Sequence, residues 1–402
     1  MADIIVIGAG QAGASLVAEL RDQGFSGSIS LIGEEPVPPY QRPPLSKGYL
    51  LGDLTADRLY LRPERYYADQ HIDLRLQSRV RSVDPNGQTV QLESEQLPYG
   101  QLVFTTGSRP ITLPAHVGGD LKGVFVVRTL ADVDAVAPLF QPDSRLLIVG
   151  GGYIGLEAAA VAAKLGVRVT LVELAERILQ RVAASETSDY FRALHEQHGV
   201  NIRESVGLSR LIGDSKVSSA VFTDEDQLDV DFVVVGVGIT PNTALADAAR
   251  IKVENGIAVD QFGRTSDVSV WAAGDCCSFP YKGGRLRLES VPNAIDQAAC
   301  VARNMLGGHE EYVPKPWFWS DQYDVKLQIA GLNQGYDRVA VRRGDKMAVS
   351  HWYYQGDTLL AVDALNDPRS YMVGKRLIEA GVSPASDVVS DPTVDLKSLL
   401  KS

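Results

Sequence analysis

Two stretches of the chain, about 140 residues apart, carry the same order of apolar and polar positions. Ile4-Ile5-Val6-Ile7 is an unbroken apolar run, as in a strand buried on both faces. Gly8-Ala9-Gly10-Gln11-Ala12-Gly13 follows, then a stretch of helical texture reaching about Gln23. The return strand at 28–32 closes on Gly33-Glu34-Glu35. The later copy runs from the strand at 146–149 through Gly150-Gly151-Gly152-Tyr153-Ile154-Gly155 into a helix ending near Gly166. Its return strand, 167–172, closes on Glu173. Strand, glycine turn, alanine-rich helix, strand and terminal acid make a mononucleotide-binding βαβ half, and the chain has two.

Between the copies lie a proline-rich loop (36–44), short mixed strands, and an apolar strand at 102–105 closing on Thr106-Gly107-Ser108-Arg109-Pro110. After the second copy an alternating strand at 231–237 meets Gly238-Ile239-Thr240-Pro241-Asn242. Another strand at 268–272 runs into Ala273-Gly274-Asp275, and a helix follows over about 293–306. From Trp317 onward the texture is that of hairpins, with turns at Asn333-Gln334-Gly335 and Gln355-Gly356-Asp357. The predicted fold is α/β: two doubly wound dinucleotide-binding domains and a C-terminal α+β domain. The FAD-type domain is discontinuous (1–109 and 237–312), with the NAD-type domain (110–236) inserted into it. The α+β domain covers 313–402, and its Pro/Ser/Asp-rich stretch at 383–393 reads as a loosely packed tail.

Composition narrows the function classes. A chain of 402 residues exceeds one ordinary core. With 45% hydrophobic and 22% charged residues it is globular rather than disordered. A formal charge of −11 argues against nucleic acid. No signal-type segment or apolar run of membrane-spanning length occurs, so a cytoplasmic location is expected. Three cysteines suit a reducing compartment and exclude a disulfide framework. The six histidines are scattered and no metal site is expected. His195 and His198, three apart on a predicted helix, read as a solvated face.

In each glycine turn the first glycine (Gly8, Gly150) permits the tight turn. The second (Gly10, Gly152) lets backbone approach a pyrophosphate, and the third (Gly13, Gly155) lets helix pack on strand. The phosphates then meet free N–H groups at the positive end of a helix. An acid further on accepts from ribose hydroxyls: Glu34 or Glu35 in the first copy, Glu173 in the second. A carboxylate at Glu173 favours a free 2′-hydroxyl, hence NADH over NADPH, with Arg177 the nearby cation that could take a 2′-phosphate. Two dinucleotide sites in one chain make redox sense as one nicotinamide and one flavin.

These residues resemble the FAD-dependent, NADH-linked ferredoxin reductases of bacterial oxygenase systems, over nearly the whole chain. The most specific pieces are Pro43-Pro44-Leu45-Ser46-Lys47, 150–157 (GGGYIGLE), Gly274-Asp275, Glu289-Ser290-Val291-Pro292-Asn293-Ala294 and Trp317-Phe318-Trp319-Ser320-Asp321-Gln322-Tyr323. The resemblance implies FAD in the first copy and NADH in the second, where Tyr153, Ile154 and Glu157 join the glycines. It places Arg42 and Lys47 along the flavin and Asp275 on its ribityl chain. Thr106, Gly107, Arg109, Gly238 and Val291 count among the cofactor-binding positions. It implies further that Lys47, near flavin N5, pairs with Glu157, which orients the nicotinamide carboxamide. The helix beginning near Pro292-Asn293 points at the flavin N1/O2 edge, and Trp319 stands beside the flavin toward the acceptor.

Related two-dinucleotide flavoproteins often pass electrons to a redox cysteine. Here residues 36–60 hold no cysteine, nor does the second βαβ copy, and the adjacent Cys276 and Cys277 are unsuited to a mutual disulfide. Electrons therefore leave the flavin directly for an external acceptor. The resemblance makes that acceptor a [2Fe–2S] ferredoxin serving a P450 or ring-hydroxylating oxygenase. Residues 313–402 carry eleven basic and eleven acidic side chains, so the −11 belongs to the remainder of the chain. An acidic ferredoxin is best tolerated near this neutral part, with Lys326, Arg338, Arg342, Arg343, Lys375 and Arg376 as candidate contacts. Two other readings share the architecture: an NADH-dependent reductase of a small acceptor such as a quinone or monodehydroascorbate, and a redox-sensing interaction protein like apoptosis-inducing factor.

Overall fold

The apolar runs become the central strands of two parallel sheets in the computed structural model, which describes residues 2–345 and 347–401. The chain packs as two units. One holds the residues up to Gln41 together with Ala56–Arg109 and Ile239–Pro316; the other holds Arg42–Thr55, Pro110–Gly238 and the chain from Trp317 on.

In the first unit Ala2–Ile7 lies between Ile29–Ile32 and Gln96–Phe104, all parallel, with Ile72–Arg75 beyond. Ile4, Ile5, Val6, Leu31 and Val103 are essentially unexposed, because helices cover one face and further strands and loops the other. The long strand Gln96–Phe104 divides its pairing. Its start joins the antiparallel hairpin strand Thr89–Gln91, while its end pairs with Ala2–Ile7 and with Val270–Ala272. Ile7, Phe104 and Ala272 therefore finish at one level, and the turns that follow them gather at the carboxyl ends of the strands. The helix foreseen from about 293 begins two residues earlier, spanning Val291–Met305. Ser290 caps it, its hydroxyl accepting the Asn293 N–H. It packs through Ala298, Val301 and Ala302 into the core that holds Leu16, Val17 and Leu20 of the helix Gln11–Asp22.

In the second unit Arg145–Val149 lies between Arg168–Glu173 and Phe232–Val235, again parallel, with Asn201–Glu204 and Val124–Phe125 outside them. The strand expected over 231–237 is shorter than its apolar pattern. Gly238 takes φ +117°, and the chain turns out of the sheet before it. The hairpin texture after Trp317 forms a five-stranded antiparallel sheet. Its order is Trp317–Gln322, Val325–Gly331, Thr358–Leu365, Val349–Gln355, Arg338–Arg343. The helix Pro368–Ala380 covers it with Tyr371, Val373 and Leu377, starting at an Asp367 cap and ending at Gly381 in the left-handed region.

The 383–393 stretch is not loosely packed. Ser386–Ser390 is a helical turn whose Val389 is fully buried, and Leu396 beyond it is buried too. The Arg342 guanidinium donates to the carbonyls of Val389, Asp391, Pro392 and Val394 at 3.2, 2.6, 3.3 and 2.9 Å. Burying the two apolar side chains contributes about 2 kcal/mol each, which with four charge-assisted bonds offsets much of the cost of ordering the segment. Composition could not show this, since the clamp comes from another strand. Among the described residues no helix is long and apolar enough to cross a membrane.

Candidate functional site

The two glycine turns have the same build, and each glycine has its own reason. A Cβ on Gly8 would lie 2.2 Å from the Thr105 carbonyl oxygen, and one on Gly13 would lie 2.1 Å from that of Gly8. A Cβ on Gly10 would meet nothing within 4 Å. In the second turn Gly150 faces the Gly236 carbonyl at 2.5 Å and Gly155 the Gly150 carbonyl at 2.3 Å, while Gly152 is open. The outer glycines are closed by backbone and the middle one looks into space. No side chain caps the helix at Gly10 or at Gly152, so the first N–H groups of both helices remain for an anion. The cradles fit a dinucleotide pyrophosphate each.

Around the first cradle, Thr105 Oγ1 donates to the Gly8 carbonyl (2.8 Å). The Thr106–Gly107 turn is tied to Asn242: Thr106 Oγ1 donates to its carbonyl, and its amide donates to the Thr106 carbonyl (2.7 and 2.8 Å). Arg109 reaches the Asn242 side chain (3.1 Å). Ser108 Oγ donates to Asp275 (2.9 Å), and Gly274 N–H to the buried Gln297 amide oxygen (2.8 Å). Thr106, Gly107, Arg109, Asp275 and the Val291 helix thus share one unit with Gly8, Gly10 and Gly13. Glu34 and Glu35 differ: Glu34 is exposed and 3.3 Å from Arg79, whereas Glu35 accepts from Tyr40 at 2.6 Å.

In the second unit Glu173 sits at the end of its strand and accepts from Gly151 N–H (2.7 Å) and Ala175 N–H (2.9 Å), one on each oxygen. Each oxygen keeps lone-pair capacity for ribose hydroxyls. Arg177 is turned into the fold, donating to Ser188 Oγ and the Ala183 carbonyl at 2.5 and 2.8 Å. Tyr153 and Ile154 open the helix. The Tyr153 hydroxyl is buried without a hydrogen-bond partner, and its ring packs on Phe318 (5.2 Å between centroids), so its backbone N–H is what it offers a nucleotide.

One turn along that helix Glu157 is 4% exposed. Lys47 Nζ and Ser46 Oγ both lie 2.7 Å from its Oε2, and Ser320 Oγ is 2.6 Å from Oε1. The ion pair that the resemblance implies is therefore formed within one unit. Arg42, in the same segment as Lys47, donates to the Arg128 carbonyl (2.7 Å). Ser46 and Ser320 were not singled out by sequence reasoning. The strand Trp317–Gln322 held the signal for Ser320: with period two, Phe318, Ser320 and Gln322 share one face and Trp317 and Trp319 the other. Trp317 and Trp319 stand 5.5 Å apart by centroid, and Lys375 Nζ lies 5.3 Å from the Trp317 ring.

His195 departs from its expected place. It is fully buried, not on a solvated face, because the helix Ser185–Gln197 turns Thr187, Phe191, Leu194 and His195 inward. Among the six cations proposed for docking, Lys326, Arg343, Arg338 and Arg376 are exposed. Arg338 bonds the Gly356 carbonyl, Lys375 lies near Glu379, and Arg342 is the clamp described above. All three cysteines are buried as free thiols. Burial pushes each thiol up, Cys300 to about 11.

Residues 2–298 match the family model of pyridine nucleotide-disulphide oxidoreductases, and 317–400 match a reductase C-terminal model. The chain is 42% identical over 408 residues to a ferredoxin–NAD(P)+ reductase of a Sphingomonas species, covering 99% of this chain and 97% of that protein. It is 40% identical over 399 residues to rhodocoxin reductase of Rhodococcus erythropolis, covering 98% and 93%. The structure superposes on the reductase in the covalent putidaredoxin reductase–putidaredoxin complex with a TM-score of 0.96 at 37% identity, covering all of this chain and 98% of that one.

Proposed function

This chain belongs to the pyridine nucleotide-disulphide oxidoreductase family, and from that premise we propose that it is an NADH:ferredoxin oxidoreductase of an oxygenase system. FAD held by the first cradle would supply the chemistry: acceptance of hydride from NADH and release of single electrons to a [2Fe–2S] ferredoxin that serves a P450 or ring-hydroxylating oxygenase. One observation carries this reading: the chain holds two cradles with the same open middle glycine and no thiol fit to relay electrons. A thiol relay needs an accessible thiolate, and these three thiols are buried with raised pKa. The family's disulphide chemistry is therefore absent from this member's route. Buried, unpaired cysteines also suit the reducing cytoplasm.

The residues divide the task. The helix N-termini at Gly10 and Gly152 would hold the pyrophosphates, Asp275 would hold the flavin's ribityl chain, and the Thr106–Gly107 turn would line the same cofactor site. Glu173 accepts from the adenosine ribose, and with Arg177 turned away the site favours NADH over NADPH. Glu157, neutralised by Lys47, binds the nicotinamide carboxamide and sets C4 for transfer. By the family resemblance Trp319 would stand beside the flavin toward the acceptor, and the exposed cations Lys326, Arg343 and Arg376 would receive an acidic ferredoxin.

Anaerobic stopped-flow tests this: NADH should bleach the bound flavin, and a second mix with a [2Fe–2S] ferredoxin should reoxidise it. Glu157→Gln should slow the first step by ~100-fold with FAD still bound. Bleaching at the wild-type rate in that variant would remove Glu157 from hydride transfer. Flavin that reoxidises with a quinone but not with any ferredoxin would overturn the acceptor.

A further inference from the structure

Behind Glu157 runs a line of buried polar groups that the hydride step does not by itself require. Ser320 Oγ meets Glu157 Oε1 at 2.6 Å, and Gln322 Nε2 donates to Ser320 Oγ at 3.2 Å. His195 Nε2 lies 2.8 Å from Gln322 Oε1, and the Tyr323 hydroxyl lies 3.2 Å from His195 Nδ1. Ser320 and His195 are unexposed and Gln322 is 1% exposed. All these residues belong to the unit that holds Glu157 and Lys47.

The protons can be assigned by following the line. Gln322 presents its oxygen to His195, so Nε2 carries the ring proton and Nδ1 accepts from Tyr323. Burial pushes the His195 pKa down to about 4, so the ring is neutral with a single N–H to give. The Gln322 amide then donates to Ser320, which leaves the serine proton for Glu157. Every donor points the same way, from the Tyr323 end toward the carboxylate. Turning the Gln322 amide over would reverse the line and take the serine proton from Glu157.

Geometry gives the line its effect. Lys47 and Ser46 both address Oε2, and a carboxylate gripped by one oxygen still turns about its last torsion, which is soft. Ser320 addresses the other oxygen and stops that rotation. The far end is fixed as well. Tyr323 occupies a hairpin tip at φ +55°, a region costly for a tyrosine, and its ring stacks on His198 at 3.7 Å between centroids with 14° between planes.

We propose that Ser320, Gln322 and His195 are positioning residues, a buried relay that locks the Glu157 carboxylate in the orientation the nicotinamide needs. The proposal rests on the assignment of Glu157 to the nicotinamide.

The test uses the FAD-loaded full chain and the variants Ser320→Ala, Ser320→Cys, Gln322→Leu and Glu157→Gln. Three quantities are read: thermal midpoint, NAD+ dissociation constant, and the limiting rate of flavin reduction at saturating NADH. Ser320→Cys keeps the shape with a weaker donor, so the limiting rate should rank wild type, then Cys, then Ala, with Ala about tenfold down. Gln322→Leu should also lower the limiting rate. NAD+ affinity should weaken about threefold in Ser320→Ala, with FAD content unchanged. Wild-type rates in Ser320→Ala and Gln322→Leu beside a slow Glu157→Gln overturn the relay and leave Glu157 in place. A Cys variant no faster than Ala overturns it too, since a merely structural gap would not follow donor strength. A wild-type rate in Glu157→Gln overturns both readings. If Gln322→Leu fails to fold, the serine series decides alone.

Discussion

Gly152 and Gly155 stand three residues apart in one turn, and a methyl group on each has opposite consequences. At Gly155 it would run into the Gly150 carbonyl at 2.3 Å; at Gly152 it would enter open space. Gly155→Ala should therefore cost stability, about 1–3 kcal/mol or more by overpacking, seen as a lower melting temperature. Gly152→Ala should melt within about 2 °C of wild type and bind NADH at least ~10-fold more weakly, because the methyl takes the pyrophosphate's place. Equal melting of the two variants would contradict this division. At this scale the sequence was readable wherever one residue type has one reason to be there. The glycines and Glu173 belong to that class; the Lys47–Glu157 pair was expected only through the family resemblance, and its ion pair is seen in the structure. Ser46, Ser320 and Gln322 lie outside that class, since serine and glutamine are common and only a nearby carboxylate gives them a role.

Elements depend on what they pack against, and the helix Ser185–Gln197 shows it. One end pins Thr187 Oγ1 to buried Asp363 (2.8 Å) and to His351 Nδ1 (2.7 Å); the other end buries His195. Burial pushes both His195 and His351 down to about 4, against an ordinary 6.5 that the unfolded chain keeps. Stability is thus lost as the pH falls below about 6.5, by ~1.4 kcal/mol per unit for each ring, until about pH 4. Asp363 acts in the opposite sense. Burial raises it from 3.8 to about 6, so its contribution is full below pH 3.8 and is lost as the pH rises through 6. Asp363→Asn removes that offset, and the fall in unfolding free energy between pH 6 and 4 should steepen by ~1.4 kcal/mol per unit. Urea melts at half-unit pH steps would measure it; an unchanged slope would show that Asp363 is not protonated in this range. On the C-terminal sheet, Arg342→Ala should cost about 1.5–3 kcal/mol and speed proteolysis after residue 385, with the KM for ferredoxin unaltered. A raised KM at wild-type stability would return Arg342 to the docking surface.

Across the whole molecule the charge is uneven, since residues 313–402 are neutral and the remainder carries the −11. An acidic partner is repelled by most of the chain and received best where cations are exposed. Arg376→Glu should raise the KM for ferredoxin about three- to tenfold at low ionic strength and converge on wild type in high salt. Its NADH–ferricyanide turnover should not change. Equal effects on both acceptors would place Arg376 outside the docking surface. The cations of this part of the chain were visible in the sequence as charge, but which of them face solvent was not. Arg342 and Arg343 are adjacent, yet one clamps backbone and the other is exposed.

Local chemistry alone was enough to predict two nucleotide cradles, their order along the chain and acids placed to close them. Those features lie within one βαβ copy of about 30 residues, so apolar runs and glycine spacing encode them directly. The burial of His195, the ordering of the 383–393 segment and the choice of Ser320 as the second hand on Glu157 came from the tertiary structure. Each joins residues more than 40 positions apart, and such contacts exist only once packing has excluded water and made an unpaired polar group costly.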